Sequence, residues 1–311
     1  MKIEQLLFEP SEGQTILQPE GKGPGYWIGV PVIYYDESTQ TYFLYVRVRN
    51  PRPESGKITP TDIHRGYKCQ IMESKDGINF KPIWEMRKNQ IGARSIEGGA
   101  LMKIEDQFHL FQSFELPGLI PRWKIKKMVA NYPSEFTPES LEKIDWDVPF
   151  RYRLSIKDPL IYYHYGDYYL YIDYFRFWKR PFGSTGVLFS KDGLKFKWVD
   201  DIFYRPKKCS WLKQYMRLTS IFKVEDKIFG FVDGTDKQSG ICEEKAGIIK
   251  GTSHYKFRVW SCDKPSYSSE YGKGSVRYIF ALKEQNRLRL YYEYTEKEGQ
   301  HVVKMKEIER L

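Results

Sequence analysis

Ser74-Lys75-Asp76-Gly77-Ile78-Asn79-Phe80 returns almost verbatim, 116 positions later, as Ser190-Lys191-Asp192-Gly193-Leu194-Lys195-Phe196. Asp-Gly between apolar residues marks a hairpin, because glycine accepts the positive φ that the turn requires. If the unit is half that interval, a degenerate copy belongs midway, and Tyr132-Pro133-Ser134-Glu135-Phe136 stands there. Another follows at Ser253-His254-Tyr255-Lys256-Phe257. The phenylalanines fall at Phe80, Phe136, Phe196 and Phe257, which sets a repeat of about sixty residues.

A second register gives the same repeat. Apolar strands are expected at Val30-Pro31-Val32-Ile33-Tyr34, Gly98-Gly99-Ala100-Leu101-Met102, Asp158-Pro159-Leu160-Ile161-Tyr162, Leu218-Thr219-Ser220-Ile221-Phe222 and Arg277-Tyr278-Ile279-Phe280-Ala281. After each comes a polar turn and an aromatic strand, over 42–48, 108–114, 168–175, 228–232 and 288–294. Four strands per unit, repeated radially, is the pattern of a propeller. The expectation is an all-β chain: one five-bladed β-propeller domain over residues 1–311, with four-stranded blades. A forty-residue repeat of the WD type fails on period, and a β-helix would need a shorter one. The leftover strands expected at 3–8 and 302–308 would pair in one blade, closing the ring and hiding an edge.

Composition narrows the setting. With 24 Tyr, 19 Phe and 8 Trp, the chain favours strands, where aromatic side chains fit the pleated surface. No apolar run is long enough to span a membrane, so no membrane partner is expected. The opening MKIEQLLFEP is too short and polar for a signal peptide, which leaves the cytoplasm as the expected location. Cys69, Cys209, Cys242 and Cys262 show no CxxC pairing, so four reduced thiols and no zinc site are expected. The net charge of +10 raises nucleic acid as a partner, but the basic residues are interleaved with 40 acidic ones. A positive field serves an anionic small substrate better. The five histidines show no metal spacing, and no cofactor is expected.

In a propeller, first strands begin, and second strands return, at one rim of a central pit. The starts are Gly29, Glu97, Asp158, Arg217 and Arg277; the returns are Arg47, Ser113, Asp173, Asp233 and Glu293. Acids and arginines are thus expected to line the pit together. Asp158 and Asp173 are equidistant from the Tyr165-Gly166 turn. An ideal register would oppose them directly, raising one pKa and holding a proton for acid catalysis; a β-bulge or neutralising arginines would undo this. Catalytic roles are therefore expected for Glu97 as acid, with Asp158 and Asp173 as base and modulator. Arg47, Arg217, Arg277, Asp233 and Glu293 are expected to bind substrate, since arginine grips carboxylate or phosphate bidentately. Trp27, Trp178 and Trp211 are placed to stack on sugar faces or to pack the core. His64 lies in the segment 50–65, read as a lid, and 234–246 is a second such loop.

Lys157-Asp158-Pro159-Leu160, followed by Gly166-Asp167-Tyr168-Tyr169-Leu170-Tyr171, resembles the five-bladed propeller glycosidases, as do the Ser-x-Asp-Gly-x-x-Phe units. That superfamily holds arabinanases and xylosidases, invertase-like fructosidases and mannoside phosphorylases. The resemblance implies acidic residues at the starts of inner strands, here Glu97 and Asp158. It also implies a first-blade aspartate in the arabinanase and invertase groups, where this chain reads Ile28-Gly29-Val30-Pro31. A later-blade glutamate has no match in Arg217-Leu218-Thr219. Tyr45-Val46-Arg47 and Ser95-Ile96-Glu97-Gly98 resemble the mannoside phosphorylases, with Gly98 where those carry an aspartate. The expected function is cleavage of a glycosidic bond in a carbohydrate, anionic ones included, by hydrolysis. Phosphorolysis is the alternative if the arginines hold phosphate, as is a non-catalytic carbohydrate-binding propeller. Two carboxylates facing across the pit fit cleavage; a pit filled by aromatic rings fits binding. The oligomeric state is left open.

Overall fold

The computed structural model describes residues 2–51, 65–153, 155–175, 183–203, 209–236 and 243–309, and their regular structure is almost entirely strand. The first sheet is eight-stranded: an antiparallel meander of β2 (Trp27–Asp36), β3 (Thr41–Arg49), β4 (Lys68–Ser74) and β5 (Lys81–Arg87) continues, through a parallel bridge between Trp27 and His301, into the last three strands of the chain, with β1 (Gln14–Leu17) on the His301 strand. The second holds β6 (Ser95–Ile104), β7 (Gln107–Leu116) and β8 (Arg122–Ala130). After the short β9 (Asp145–Trp146), the third runs through β10 (Ile156–His164), β11 (Asp167–Phe175), β12 (Gly183–Ser190) and β13 (Lys195–Asp201), and β9 joins its outer edge in parallel. The fourth comprises β14 (Tyr215–Val224), β15 (Lys227–Thr235), β16 (Lys245–Ser253) and β17 (Lys256–Val259). The last strands are β18 (Val276–Glu284), β19 (Arg287–Thr295) and β20 (His301–Glu309). The first strands pack side by side in a closed circuit: β2 on β6, β6 on β10, β10 on β14, β14 on β18, and β18 on β2.

The repeated heptapeptide is a repeated geometry. Ser74 Oγ accepts the Gly77 N–H at 3.0 Å, and Asp76 Oδ1 accepts the N–H groups of Ile78 and Asn79 at 2.9 and 2.8 Å. Ser190 and Asp192 repeat each contact within 0.1 Å. Gly77 and Gly193 take φ +72° and +73°, as the Asp-Gly reading requires. The midway copy behaves differently. With proline at 133 and no glycine, Pro133–Glu135 forms a 3-10 turn instead of a hairpin. Phe136 then packs against Trp84 of β5, whose Nε1 donates to the Phe136 carbonyl at 2.7 Å. The second sheet therefore has three strands among the described residues, not the four expected.

Two further expectations are corrected. Residues 3–8 do not form the closing strand: Ile3–Leu6 is a 3-10 turn, with Leu6 buried and its carbonyl accepting the Tyr267 hydroxyl. β1 pairs with the C-terminal strand instead, antiparallel to β20 with Gln14 opposite Met305. Cys209 and Cys262 are not reduced thiols but a disulfide, which ties the chain just before β14 to the chain just after β17. No helix among the described residues is long and apolar enough to cross a membrane.

Each first strand carries a register shift near its start, between Gly29 and Val32, Ile96 and Gly99, Lys157 and Leu160, Leu218 and Ser220, and Arg277 and Phe280. Bulges re-aim side chains. Val30, Asp158 and Tyr278 take the left-handed conformation there, at φ 57°, 49° and 52°. Gly77→Ala and Gly193→Ala are expected to destabilise the fold by about 1–2 kcal/mol each, the cost of a left-handed Cβ. Gly77→Ala should be the worse, since its Cβ would lie 2.1 Å from Arg289 Nη1. Chemical denaturation measures both.

Candidate functional site

The charged residues read from the sequence do converge, and all are buried. Glu97 Oε2 accepts Arg47 Nη1 at 2.7 Å, and Arg49 and Arg65 stand 3.6 and 3.8 Å from its carboxylate. Burial opposes ionisation, yet Arg47, Arg49, Lys157 and Arg65 bring the Glu97 carboxyl down to about 2. Arg217 is the bridge of the group. Its Nη1 donates to Asp158 Oδ2 at 2.8 Å and its Nη2 to Asp233 Oδ2 at 2.7 Å. Arg277 donates from Nε to Glu293 and from Nη1 to Glu244, both at 2.7 Å.

Asp158 and Asp173 are not opposed. The bulge places Lys157 opposite Asp173 and turns Asp158 toward the axis, where its Oδ1 accepts the Gly98 N–H at 3.0 Å. Their ionisation nevertheless divides. Burial works against the charge on Asp158, but Lys157, Arg217, Arg47 and the Gly98 N–H hold its carboxyl well below the ordinary range. Asp173 lies between the hydroxyls of Thr185 at 2.7 Å and Tyr215 at 2.6 Å. Burial, with the charge of Asp158 adding to it, outweighs Arg217 and pushes the Asp173 carboxyl far up. Burial and Glu244 likewise raise Asp233 to about 6, against the pull of Arg217.

The missing first-blade carboxylate has a structural counterpart. A Cβ on Gly29 would lie 1.8 Å from Glu293 Oε2, so the glycine is required by that carboxylate's approach. Glu293 also accepts the Val30 N–H at 3.2 Å and pairs with His301 Nδ1 at 2.7 Å. Trp27 is not a free platform: it stacks on His301 with ring centres 4.3 Å apart, and Arg49 and Arg277 lie over its face. Trp211 is core, packed behind β14 and β16. His64, Trp178 and most of the two expected lid loops lie outside the described residues.

Sequence reading missed Tyr278, Tyr215 and Glu244. The Tyr278 ring stands 3.7 Å from the Arg217 guanidinium, and its hydroxyl accepts Arg217 Nη1 at 2.6 Å. Arg277 and Arg47 face the same ring at 5.3 and 5.9 Å. Its left-handed backbone aims it there, and nothing in the residue type announces that. Glu244 precedes β16, a third strand, and so lay outside a search of first and second strands. Among the described residues no cluster of three or more His, Cys, Asp or Glu could hold a metal ion.

No protein-family model matches the chain, and no curated protein matches it in sequence. Solved structures do match in fold. A β-xylosidase superposes with a TM-score of 0.63 at 9% identity, covering 96% of this chain and 95% of that one. An endo-arabinase from Bacteroides thetaiotaomicron gives 0.61 at 14% identity, covering 96% and 98%. A GH32 β-fructofuranosidase from Bombyx mori gives 0.64 at 12%, covering 94% of this chain and 62% of that one. The chain thus has the fold of the β-propeller glycosidases. Its structural neighbours are glycoside hydrolases of the GH43 and GH32 types.

The divided ionisation predicts divided mutational costs. Asp173→Asn removes a carboxyl whose ionisation is opposed by burial and should cost less than Glu97→Gln in urea denaturation at pH 7. Glu97→Gln leaves Arg47 unpaired in the interior and should cost about 3–5 kcal/mol. Because the Glu97 pKa is depressed when folded, its contribution is complete above 4.5 and is lost as pH falls toward about 2. The variant's stability should fall less steeply across that window than the wild type's.

Proposed function

We propose that the chain is a single five-bladed β-propeller whose pit acts on a glycosidic bond in a carbohydrate. The closed circuit of first strands supports the blade count, with β18, β19, β20 and β1 forming the fifth blade. The observation that carries the chemistry is that two buried acids are pushed in opposite directions: Asp158 down by Lys157 and Arg217, Asp173 up by burial between the hydroxyls of Thr185 and Tyr215. A neutral carboxyl beside a fixed carboxylate is what general-acid protonation of a leaving oxygen needs. The acid role expected for Glu97 therefore passes to Asp173, relayed by the Tyr215 hydroxyl; Asp158 and Glu97 remain the ionised partners. Arg47, Arg217 and Arg277 are each engaged by carboxylates, which favours hydrolysis over phosphate capture. An anionic sugar remains the preferred substrate class on the net charge of +10.

A second reading has its own support. Tyr278 fills the space between three arginines and Glu293 fills the space beside Gly29, an arrangement that suits holding a sugar without cleaving it. Aryl glycosides and oligosaccharides, neutral and acidic, with and without phosphate, separate the readings. The expected result is phosphate-independent release of sugar, lowered at least a hundredfold in Asp173→Asn with binding intact by calorimetry. Calorimetric binding with no turnover on any substrate would establish the second reading instead.

The cytoplasmic location expected from the sequence carries a redox consequence. A reducing cytoplasm would keep Cys209 and Cys262 as thiols. Alkylation and mass mapping of freshly lysed cells should label both there, whereas a protein from an oxidising compartment should show them labelled only after reduction.

A further inference from the structure

The second sheet ends in an unfilled edge. β8 pairs with β7 on one side, while on the other only Lys127 makes a backbone pair, exchanging both hydrogen bonds with Glu142 at 3.0 and 2.9 Å. In an antiparallel strand the outward groups alternate, so Trp123 and Ile125 direct their N–H and C=O the same way as Lys127. Among the described residues those groups have no partner. The reason lies in the degenerate repeat: the Pro133 turn sends the chain to β5 and away from the position of an outer strand.

A groove of about 750 Å³ borders β8 at Lys124, Ile125 and Lys126. Its floor is apolar, from Leu116, Ile125, Ile144 and Trp146, and its walls carry Lys124, Lys126, Lys143 and Arg153 against one lining acid, Glu139. Lys124 Nζ donates to the Arg153 backbone carbonyl at 2.8 Å, which ties β8 to the chain before β10. Burial, then Arg122 and Arg153, lower the Lys124 pKa. The open stretch from Arg122 to Lys126 is about 17 Å long, enough for five residues of added strand.

We propose that this edge is a docking site for an acidic, extended polypeptide, which joins β8 as the absent outer strand. Unpaired backbone groups select an extended main chain. The apolar floor takes alternate side chains, and the four cations select carboxylates between them. A sugar or an isolated anion would use the charges but leave the backbone groups and the floor unsatisfied. The proposal is independent of the chemistry in the pit.

The test is fluorescence anisotropy with a labelled decapeptide of alternating Glu and Val. Controls are its Lys-Val counterpart and the same acidic peptide N-methylated at alternate residues, which keeps charge but cannot pair as a strand. The protein is wild type and the double variant Lys126→Glu/Lys143→Glu, with a thermal melt to show that the variant is folded. The acidic peptide should bind at least tenfold more tightly than the basic one, and lose at least tenfold both on N-methylation and in the variant. Equal binding of the N-methylated peptide, or indifference to the charge reversal, would overturn the proposal. So would binding to phosphatidylserine vesicles with none to the peptide, which would make the groove a lipid-facing surface.

Discussion

Arg217 holds the buried charged cluster of this molecule together. Its guanidinium reaches from β14 to Asp158 on β10 and Asp233 on β15, and it stacks on Tyr278 of β18. Four strands of three sheets therefore meet on one cation that is 1% exposed. Removing two or three charges from water costs several kcal/mol per ion, and the loss is recovered only where each charge finds its partner in good geometry. Here both terminal nitrogens do. A hydrophobic cluster of the same volume would serve stability as well, so stability alone does not explain the charge.

The bulges make that arrangement possible. A regular strand would send alternate side chains to the axis and to the blade interior. The register shift in each first strand breaks the alternation near the strand's start, allowing adjacent residues such as Lys157 and Asp158 to join the same charged cluster. Left-handed backbone at Val30, Asp158 and Tyr278 is costly for residues with a Cβ. At Val30 the turned N–H meets Glu293, at Asp158 the side chain meets Arg217, and at Tyr278 the N–H meets Asp233 at 3.0 Å. Each strained residue is repaid by a charge-assisted hydrogen bond, and the fold and the site are inseparable at these three points.

The second sheet shows what one lost turn does. Asp-Gly at 76–77 and 192–193 reverses the chain tightly, and an outer strand follows. Pro133 cannot supply the same reversal, because its ring fixes a negative φ. Phe136 keeps its place in the core, but it does so against Trp84 of the neighbouring sheet. The repeat survives as a packing position and fails as a hairpin, which leaves β8 half paired.

Sequence by itself determined the repeat, the pairing of first and second strands, and the list of charged residues at the rim. Those follow from local rules: turn chemistry at Asp-Gly, alternation in strands, and the period at which phenylalanines return. Only the tertiary structure decided which acid is held ionised and which is pushed up. Asp158 and Asp173 look equivalent along the chain, and the bulge, the reach of Arg217 from another sheet and the hydroxyls of Thr185 and Tyr215 separate them. Tyr278 and Glu244 were invisible for the same reason, since their roles arise from contacts across sheets. So too for Gly29, whose absent side chain is explained by Glu293, 264 residues later in the chain. Local rules act over a few residues, whereas a buried charge answers to whatever the fold brings beside it.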